Sequence, residues 1–221
     1  YVTMEALSRL KHSTLGMIPP DIFISQAEKN GQIIQLGKLQ FRRVCRFMKS
    51  HKELMKRIDS VKFNLSPLEL LKPGYSQELI MIIKEYDLPY SWFQFEITET
   101  VATEYSEELY ETISDFQSVG IEICLDDFGS GYANLNTILK LPFSTVKLDR
   151  SMLHGICEDQ QVALLYKNMV SIMQNLGHKV VAEGVETQEE VELLKEWGVD
   201  LIQGYYYTRP LSRVDLLSLQ M

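Results

Sequence analysis

Six apolar, β-branched stretches of the chain each end on a side chain that carries a charge or an amide. A carboxylate at the end of a buried strand costs several kcal/mol unless it is paired with a cation or binds a metal. One such strand end has no special meaning, but a repeated arrangement indicates a shared site. The terminal residues are Glu5, Asn64, Glu96, Asp126 with Asp127, Lys147 and Glu183.

The strand-like stretches alternate with helical patterns along the whole chain. The strands are expected near residues 1–6, 60–65, 92–97, 120–126, 144–148, 178–183 and 199–203. The helices are expected over 20–30, 33–55, 76–86, 105–119, 161–176, 187–197 and 214–219. Such alternation predicts an α/β fold with a parallel sheet. A closed barrel is favoured over an open sheet, because only a barrel gathers all the carboxyl strand ends on one face.

Composition excludes several classes of function. The formal net charge of −8 disfavours binding of a DNA or RNA polymer. No apolar run approaches the roughly 20 residues needed to span a bilayer. The cysteines Cys45, Cys124 and Cys157 are odd in number and lack metal-type spacing, which is typical of reduced thiols in a cytoplasmic protein. No low-complexity linker is present, so residues 1–221 are expected to form a single domain, as part of a longer protein.

The residue types at the strand ends point to a hard divalent cation. Carboxylate and amide oxygens are the ligands that Mg²⁺ or Mn²⁺ prefers, and no histidine is expected at a carboxyl strand end, which counts against zinc. Five carboxylates are too many for one ion, whereas two ions bridged by one carboxylate balance most of that charge. The adjacent pair Asp126 and Asp127 is a natural bridge. Lys147 is then placed to orient a metal-bound water or to balance charge.

Each of these residues also has an ordinary structural interpretation. Asp127 begins a glycine-rich turn, Lys147 beside Asp149 is compatible with a surface ion pair, and Glu183 is compatible with an acidic first turn of a helix. Asn64 is compatible with a simple cap before Pro67. The shared position at strand ends favours a site over all of these together.

A set of motifs follows in order along the chain: Glu5-Ala6-Leu7 with Arg9, Asn64-Leu65-Ser66, Phe95-Glu96-Ile97-Thr98-Glu99, Asp126-Asp127-Phe128-Gly129-Ser130-Gly131, Val146-Lys147-Leu148-Asp149, Ala182-Glu183-Gly184-Val185-Glu186 and Gln203-Gly204-Tyr205. This ordered set resembles the EAL-domain family of bacterial cyclic di-GMP phosphodiesterases. The likeness spans essentially the whole chain in order. It implies a modified TIM (β/α)₈ barrel whose first strand is antiparallel, and hydrolysis of cyclic di-GMP to linear pGpG with two Mg²⁺ or Mn²⁺ ions.

The resemblance also implies individual residue roles. It assigns the first metal to Glu5, Asn64, Glu96 and Asp126, and the second to Asp126, Asp127 and Glu183. Lys147 and Glu183 become the catalytic residues, Lys147 holding the nucleophilic water. Substrate contacts are implied for Arg9, Asp149 and Gln203. The segment from Asp127 to about Thr137 resembles a loop that couples metal binding to dimer formation, with Glu99 as its anchor.

The chain departs from the family pattern at a few positions. Leu10 and Ser13 stand where Trp and Pro are common, Ser130 replaces a usual Thr, and Ala133-Asn134 replaces a Ser pair. The family's first strand, with its Gln-Pro segment, is expected to be missing or trimmed at the start. A homodimer and an upstream sensor or GGDEF domain are implied as partners, and membrane attachment through another segment stays open.

Two classes of function remain compatible with the sequence. The favoured one is an active metal-dependent phosphodiesterase, because no expected ligand and no expected lysine is lost. The alternative is a catalytically silent cyclic di-GMP receptor or interaction module. Some other metal-dependent barrel hydrolase remains only if the motif set is discounted.

Overall fold

The computed structural model describes residues 3–99, 101, 106–131 and 135–219. The chain divides into two compact units, the first formed by residues 1–96 with 106–122 and the second by 97–105 with 123–221. Within the described residues, no helix has both the length and the apolar character needed to cross a bilayer. The expectation of a single domain stays a prediction.

The first unit contains a parallel ladder covered by helices. The strands β1 (Thr3–Glu5), β4 (Ser60–Asn64) and β5 (Phe93–Thr98) pair in the order β1-β4-β5. The helices are α1 (Pro20–Lys29), α2 (Ile33–Ser50), α3 (Lys52–Met55), α4 (Pro67–Leu70), α5 (Tyr75–Glu85) and α6 (Glu107–Ser118). The register places Glu5 opposite Lys62 and Asn64 opposite Glu96.

Phe41 of α2 fixes which face of this ladder is turned toward the helices. Its ring centroid lies 5.1 Å from that of Phe63, 5.4 Å from Phe93 and 5.5 Å from Phe95. Phe95 in turn lies 4.6 Å from Phe116 of α6. Because side chains alternate along a strand, the residues between these phenylalanines point to the opposite face. The polar residues of β4 and β5 therefore share the face that is turned away from α2.

Two features of the first unit differ from the sequence-based expectation. A two-stranded antiparallel hairpin, β2 (Leu10–His12) with β3 (Gly16–Ile18), occupies a segment where no strand was expected. The helix expected over 33–55 is interrupted at His51, the residue between α2 and α3, whose φ of −129° is not helical. Among the described residues the first strand, β1, is parallel to β4, so the antiparallel strand implied by the resemblance is not among them.

A buried carboxyl group in the first unit is held by α4 and α5. Glu69 accepts hydrogen bonds from the backbone N–H of Ser66, at 2.8 Å, and from the hydroxyl of Tyr75. Gly37 of α2 makes room for this pair, since a Cβ atom there would lie 1.7 Å from Glu69 Oε1. Burial raises the pKa of Glu69 to about 7, although both hydrogen bonds act in the opposite direction.

The second unit contains a parallel ladder of four strands. The strands β6 (Glu122–Phe128), β7 (Thr145–Leu148), β8 (Lys179–Ala182) and β9 (Leu201–Ile202) pair in that order. Its helices are α7 (Leu135–Lys140), α8 (Gln160–Asn175), α9 (Gln188–Glu196) and α10 (Arg213–Ser218). The expected capping box is confirmed at α9, where the Glu190 N–H donates to Thr187 Oγ1 at 3.2 Å.

We expect replacement of Glu69 by Gln to flatten the dependence of stability on pH. The carboxyl group binds its proton more tightly in the folded chain, so its contribution is complete below pH 4.5 and is lost as the pH rises through about 7. The difference across this window is on the order of 3 kcal/mol. Urea unfolding at several pH values measures it.

The exposed glutamate Glu53 provides a matched control for this measurement. Glu53→Gln should leave the pH profile of the unfolding free energy unchanged. A profile in Glu69→Gln that is parallel to that of the wild type would contradict the assignment of the pH dependence to this buried carboxyl group.

Candidate functional site

The second unit brings three of the expected carboxylates together. Asp126, Asp127 and Glu183 each present an oxygen within 4.8 Å of the others. Asp126 is buried, while Asp127 and Glu183 are partly exposed. The first two lie near the carboxyl end of β6, and Glu183 follows directly after β8. The expectation that these strand ends converge is therefore met for these three residues.

A β-bulge explains how two consecutive aspartates serve the same cluster. Leu125 pairs with Val146 and Phe128 pairs with Leu148, so two residues of β6 stand opposite the single residue Lys147. Asp127 has a positive φ of 56°, and its N–H donates to Asp126 Oδ1 at 3.0 Å. In a regular strand, neighbours point to opposite faces. The extra residue and the left-handed backbone cancel that alternation.

Lys147 of β7 is a buried cation between the carboxylates of its two neighbouring strands. Its Nζ lies 2.7 Å from Asp126 Oδ1 and 2.7 Å from Glu183 Oε1, and its side chain is 2% exposed. Such short ion pairs offset the cost of burying the charges. The interpretation of Lys147 as half of a surface pair with Asp149 is wrong. Asp149 instead caps the following 3₁₀ turn, accepting from the Ser151 N–H at 2.9 Å.

Glu99 is attached to the segment that follows β6. Its Oε2 accepts a hydrogen bond from the Gly129 N–H at 3.1 Å. Gly129 has a φ of 93°, and a Cβ atom there would lie 2.2 Å from the sulfur of Met152. Only glycine fits this position without displacing a neighbour. The contact agrees with an anchoring role for Glu99, but residues 132–134 of the predicted loop lie outside the described residues.

The first unit holds three further expected ligands at the ends of its parallel strands. Asn64 Nδ2 donates to Glu5 Oε1 at 2.9 Å, and Asn64 is in register with Glu96. Glu96 is buried at 1% exposure. Lys62, which the sequence analysis did not single out, lies 3.5 Å from Glu96 Oε1 through its Nζ. The sequence does indicate this position of Lys62, because it lies two residues before Asn64 and so on the same face of the strand.

The expected substrate contacts are less sharply defined. Arg9 is exposed, and its guanidinium donates to the Ser8 carbonyl at 2.8 Å. Gln203 follows β9 and is held by its backbone, donating to the Ala182 carbonyl at 2.8 Å and accepting from the Val185 N–H at 3.2 Å. Gly204 is tightly packed, because a Cβ atom there would lie 2.0 Å from the Val185 carbonyl oxygen. These contacts fix the backbone beside Gln203 and leave the binding roles as predictions.

The donor chemistry of the cluster fits a hard divalent cation. Asp126, Asp127 and Glu183 offer only carboxylate oxygens, the donors that Mg²⁺ and Mn²⁺ prefer. Their oxygens are close enough to be shared by one ion.

Comparison with known proteins gives one family over nearly the whole chain. The EAL domain model matches residues 1–210. The chain is 32% identical over 213 residues to the cyclic di-GMP phosphodiesterase NbdA of Pseudomonas aeruginosa, covering 94% of this chain and 27% of that protein. It is 31% identical over 213 residues to the cyclic di-GMP phosphodiesterase PdeR of Escherichia coli, covering 96% of this chain and 32% of that protein. The chain thus spans about a third or less of these relatives.

A solved structure confirms the predicted fold class. The PaMucR phosphodiesterase in complex with c-di-GMP matches with a TM-score of 0.88 and 31% sequence identity. The match covers 96% of this chain and 86% of the solved one. An α/β architecture of this kind was expected from the alternation of strands and helices.

We expect Asp127→Gly to separate backbone strain from metal binding. Glycine adopts the positive φ of 56° without strain, whereas aspartate does not. Because relief of this strain outweighs the loss of the side chain, the unfolding free energy of the metal-free protein should rise by about 1 kcal/mol. The affinity for Mn²⁺ should fall at least tenfold, because one carboxylate is lost. Chemical unfolding and calorimetric titration measure the two effects.

Asp87, with a φ of 52° at an exposed turn of the first unit, is the matched control. Asp87→Gly should raise stability by a similar amount and leave the affinity for Mn²⁺ unchanged. Equal Mn²⁺ affinities in the two variants would show that Asp127 is not a ligand.

Proposed function

The chain belongs to the EAL domain family, and we propose that it hydrolyses one phosphodiester bond of cyclic di-GMP to give linear pGpG. Its relatives NbdA and PdeR are cyclic di-GMP phosphodiesterases, and PaMucR is a phosphodiesterase solved with c-di-GMP. The observation that carries the proposal is Lys147, buried between Asp126 and Glu183 at 2.7 Å from each. Buried charges of this kind are costly unless they are paired, and their presence beside the carboxylate cluster favours a catalytic role over a silent receptor.

Two divalent ions, Mg²⁺ or Mn²⁺, complete this proposal. When bound, such ions would lower the pKa of a water and neutralise charge on the phosphate. In the second unit, Asp126, Asp127 and Glu183 are the residues that would hold an ion, as their mutual distances support. For the first unit, we assign Glu5, Asn64 and Glu96 on the basis of the family resemblance.

The protein's own groups have distinct tasks in this reaction. The ammonium of Lys147 donates hydrogen bonds and so orients the attacking water toward phosphorus. The carboxylate of Glu183 is close enough to Lys147 Nζ to accept the proton that the water loses. As the new oxygen–phosphorus bond forms, the bond to the 3′ oxygen breaks, and that oxygen takes up a proton to become the hydroxyl of pGpG. Lys147 also offsets negative charge as the phosphate is attacked.

Substrate binding must overcome an unfavourable overall charge. The chain has a net charge of −8, and cyclic di-GMP carries two phosphates, so bound cations and local positive groups have to provide the attraction. Arg9 is proposed to contact a phosphate, and Asp149 and Gln203 to contact the rest of the nucleotide. Arg9 is exposed and able to reorient.

The assembly around the domain is also part of the proposal. The relatives are several times longer than this chain, which supports a domain that is linked to further domains. We propose that it is cytoplasmic and that the further domains are of the sensor or GGDEF type. The contact between Glu99 and Gly129 supports a loop that responds to the metal site, and a homodimer is the proposed recipient of that response.

We expect purified protein to convert cyclic di-GMP to pGpG only when Mg²⁺ or Mn²⁺ is present. Lys147→Met and Glu183→Gln should each lower the rate by a factor of 10² to 10⁴, because the water loses its orientation or its proton acceptor. Separation of the nucleotides by chromatography measures the rate, and circular dichroism checks folding.

Lys167→Met, at an exposed position of α8 in the same unit, is the matched control and should retain the wild-type rate. Tight binding of cyclic di-GMP without turnover by the wild-type protein would replace the enzyme by a receptor. Neither binding nor turnover would exclude both functions.

A further inference from the structure

Lys62 is a buried cation that the proposed mechanism does not use. It lies in the middle of β4, and its residue is 1% exposed. The next residue, Phe63, packs on Phe41 of α2, so Lys62 points to the opposite face of the strand, which it shares with Asn64. The register places it between Glu5 of β1 and Gln94 of β5. Lys62 therefore lies on the same face of the ladder as the expected metal ligands of the first unit.

The ion-pair partner of Lys62 is Glu96. Its Nζ lies 3.5 Å from Glu96 Oε1, and the two side chains are 1% and 0% exposed. This separation is longer than the 2.7–2.9 Å of a charge-assisted hydrogen bond. Lys62 Nζ has no hydrogen-bond partner among the described residues. The pair is therefore held by charge and burial rather than by a fixed hydrogen bond.

Hydrogen bonds of the polar groups beside Lys62 join them to other residues, and the ion pair that the described residues show for Lys62 is with Glu96. Gln94, which is in register with Lys62, donates through Nε2 to Glu122 Oε2 at 3.1 Å. Asn64 donates to Glu5 Oε1 at 2.9 Å. An ammonium that is buried so deeply costs several kcal/mol unless an opposite charge lies near it. Glu96 supplies that charge.

We propose that Lys62 is a positioning residue that acts as the internal counter-cation of Glu96 and thereby sets the affinity of the first unit's ligand set for a divalent ion. The inference rests on the proposed function, in which Glu96 is a metal ligand. Without metal, Lys62 neutralises Glu96 and lets the chain fold with that carboxylate buried. A divalent ion that binds Glu96 is repelled by the same ammonium.

The expected size of the effect follows from Coulomb's law. A unit charge and a divalent ion about 5 Å apart repel strongly even at an effective dielectric constant of about 20, enough to change an affinity by more than tenfold. Screening by salt is weak at this depth. Lys62 therefore moderates metal binding and protects the metal-free fold.

The test compares Mn²⁺ binding by wild-type protein, Lys62→Met and Lys62→Gln. Calorimetric titration gives Kd, and thermal unfolding in chelator and in saturating Mn²⁺ gives the stabilisation by the metal. Both neutral variants should bind Mn²⁺ at least tenfold more tightly than the wild type. They should also unfold at a lower temperature in chelator and recover when Mn²⁺ is added. Lys62→Arg, which keeps the charge, should bind Mn²⁺ like the wild type.

Lys56→Met is the matched control, because Lys56 is an exposed lysine paired with Glu53 in the same unit. It should change neither Kd nor the metal-dependent shift in unfolding temperature. A neutral Lys62 variant that folds only with Mn²⁺ would also support the proposal, since the ion would then replace the missing cation.

Three results would overturn the inference. One is a Kd for Mn²⁺ in the neutral variants within twofold of the wild type, or weaker. Another is failure of both neutral variants to fold in saturating Mn²⁺, which would make Lys62 purely structural. The third is a wild-type protein that binds no Mn²⁺, which would remove the proposed function as well. The first two leave hydrolysis by the wild type intact, so the two proposals fail separately.

Discussion

The cost of burying negative charge at strand ends is the constraint on which both units depend. Glu96 is almost fully enclosed, and Asp126 is nearly so. Each of them has a buried lysine within ion-pair distance, Lys62 in the first unit and Lys147 in the second. These cations offset the cost of burying the two carboxylates in the metal-free protein. Divalent ions bound at these carboxylates would meet the same two lysines, so the charges that permit folding would also affect metal binding.

The alternation of side chains along the strands places apolar residues on one face of each ladder and charged or amide residues on the other. In the first unit, Phe63 of β4 and Phe95 of β5 face α2. The residues next to each of them in sequence point to the opposite face and carry charged or amide groups. In the second unit, Lys147 occupies the strand between β6 and β8 and so reaches a carboxylate on each side. The apolar faces supply the burial that stabilises the domain. The polar faces carry the candidate ligand residues and the two buried lysines.

The sequence predicted the strand ends and most helices because both depend on local periodicity. The capping box at Thr187 and the convergence of Asp126 with Glu183 follow from such patterns. The β-bulge was not predictable in this way, because two adjacent aspartates in a strand normally face opposite sides, and only the pairing with β7 shows otherwise. The burial of Lys62 was not predictable from the sequence, because a single lysine in an apolar run is usually a solvated residue at the edge of a sheet. Its burial arises from the strands on either side of it.

The bulge at Asp126 and Asp127 also bears on how domains of this kind diverge. Two residues share the space opposite Lys147, so loss of one of them would restore a regular ladder between β6 and β7. Such a deletion would remove the left-handed residue and leave the apolar packing of the strand nearly unchanged. The scaffold would survive while one carboxylate of the cluster disappeared. A single short deletion could therefore remove an oxygen donor from the cluster without loss of the fold.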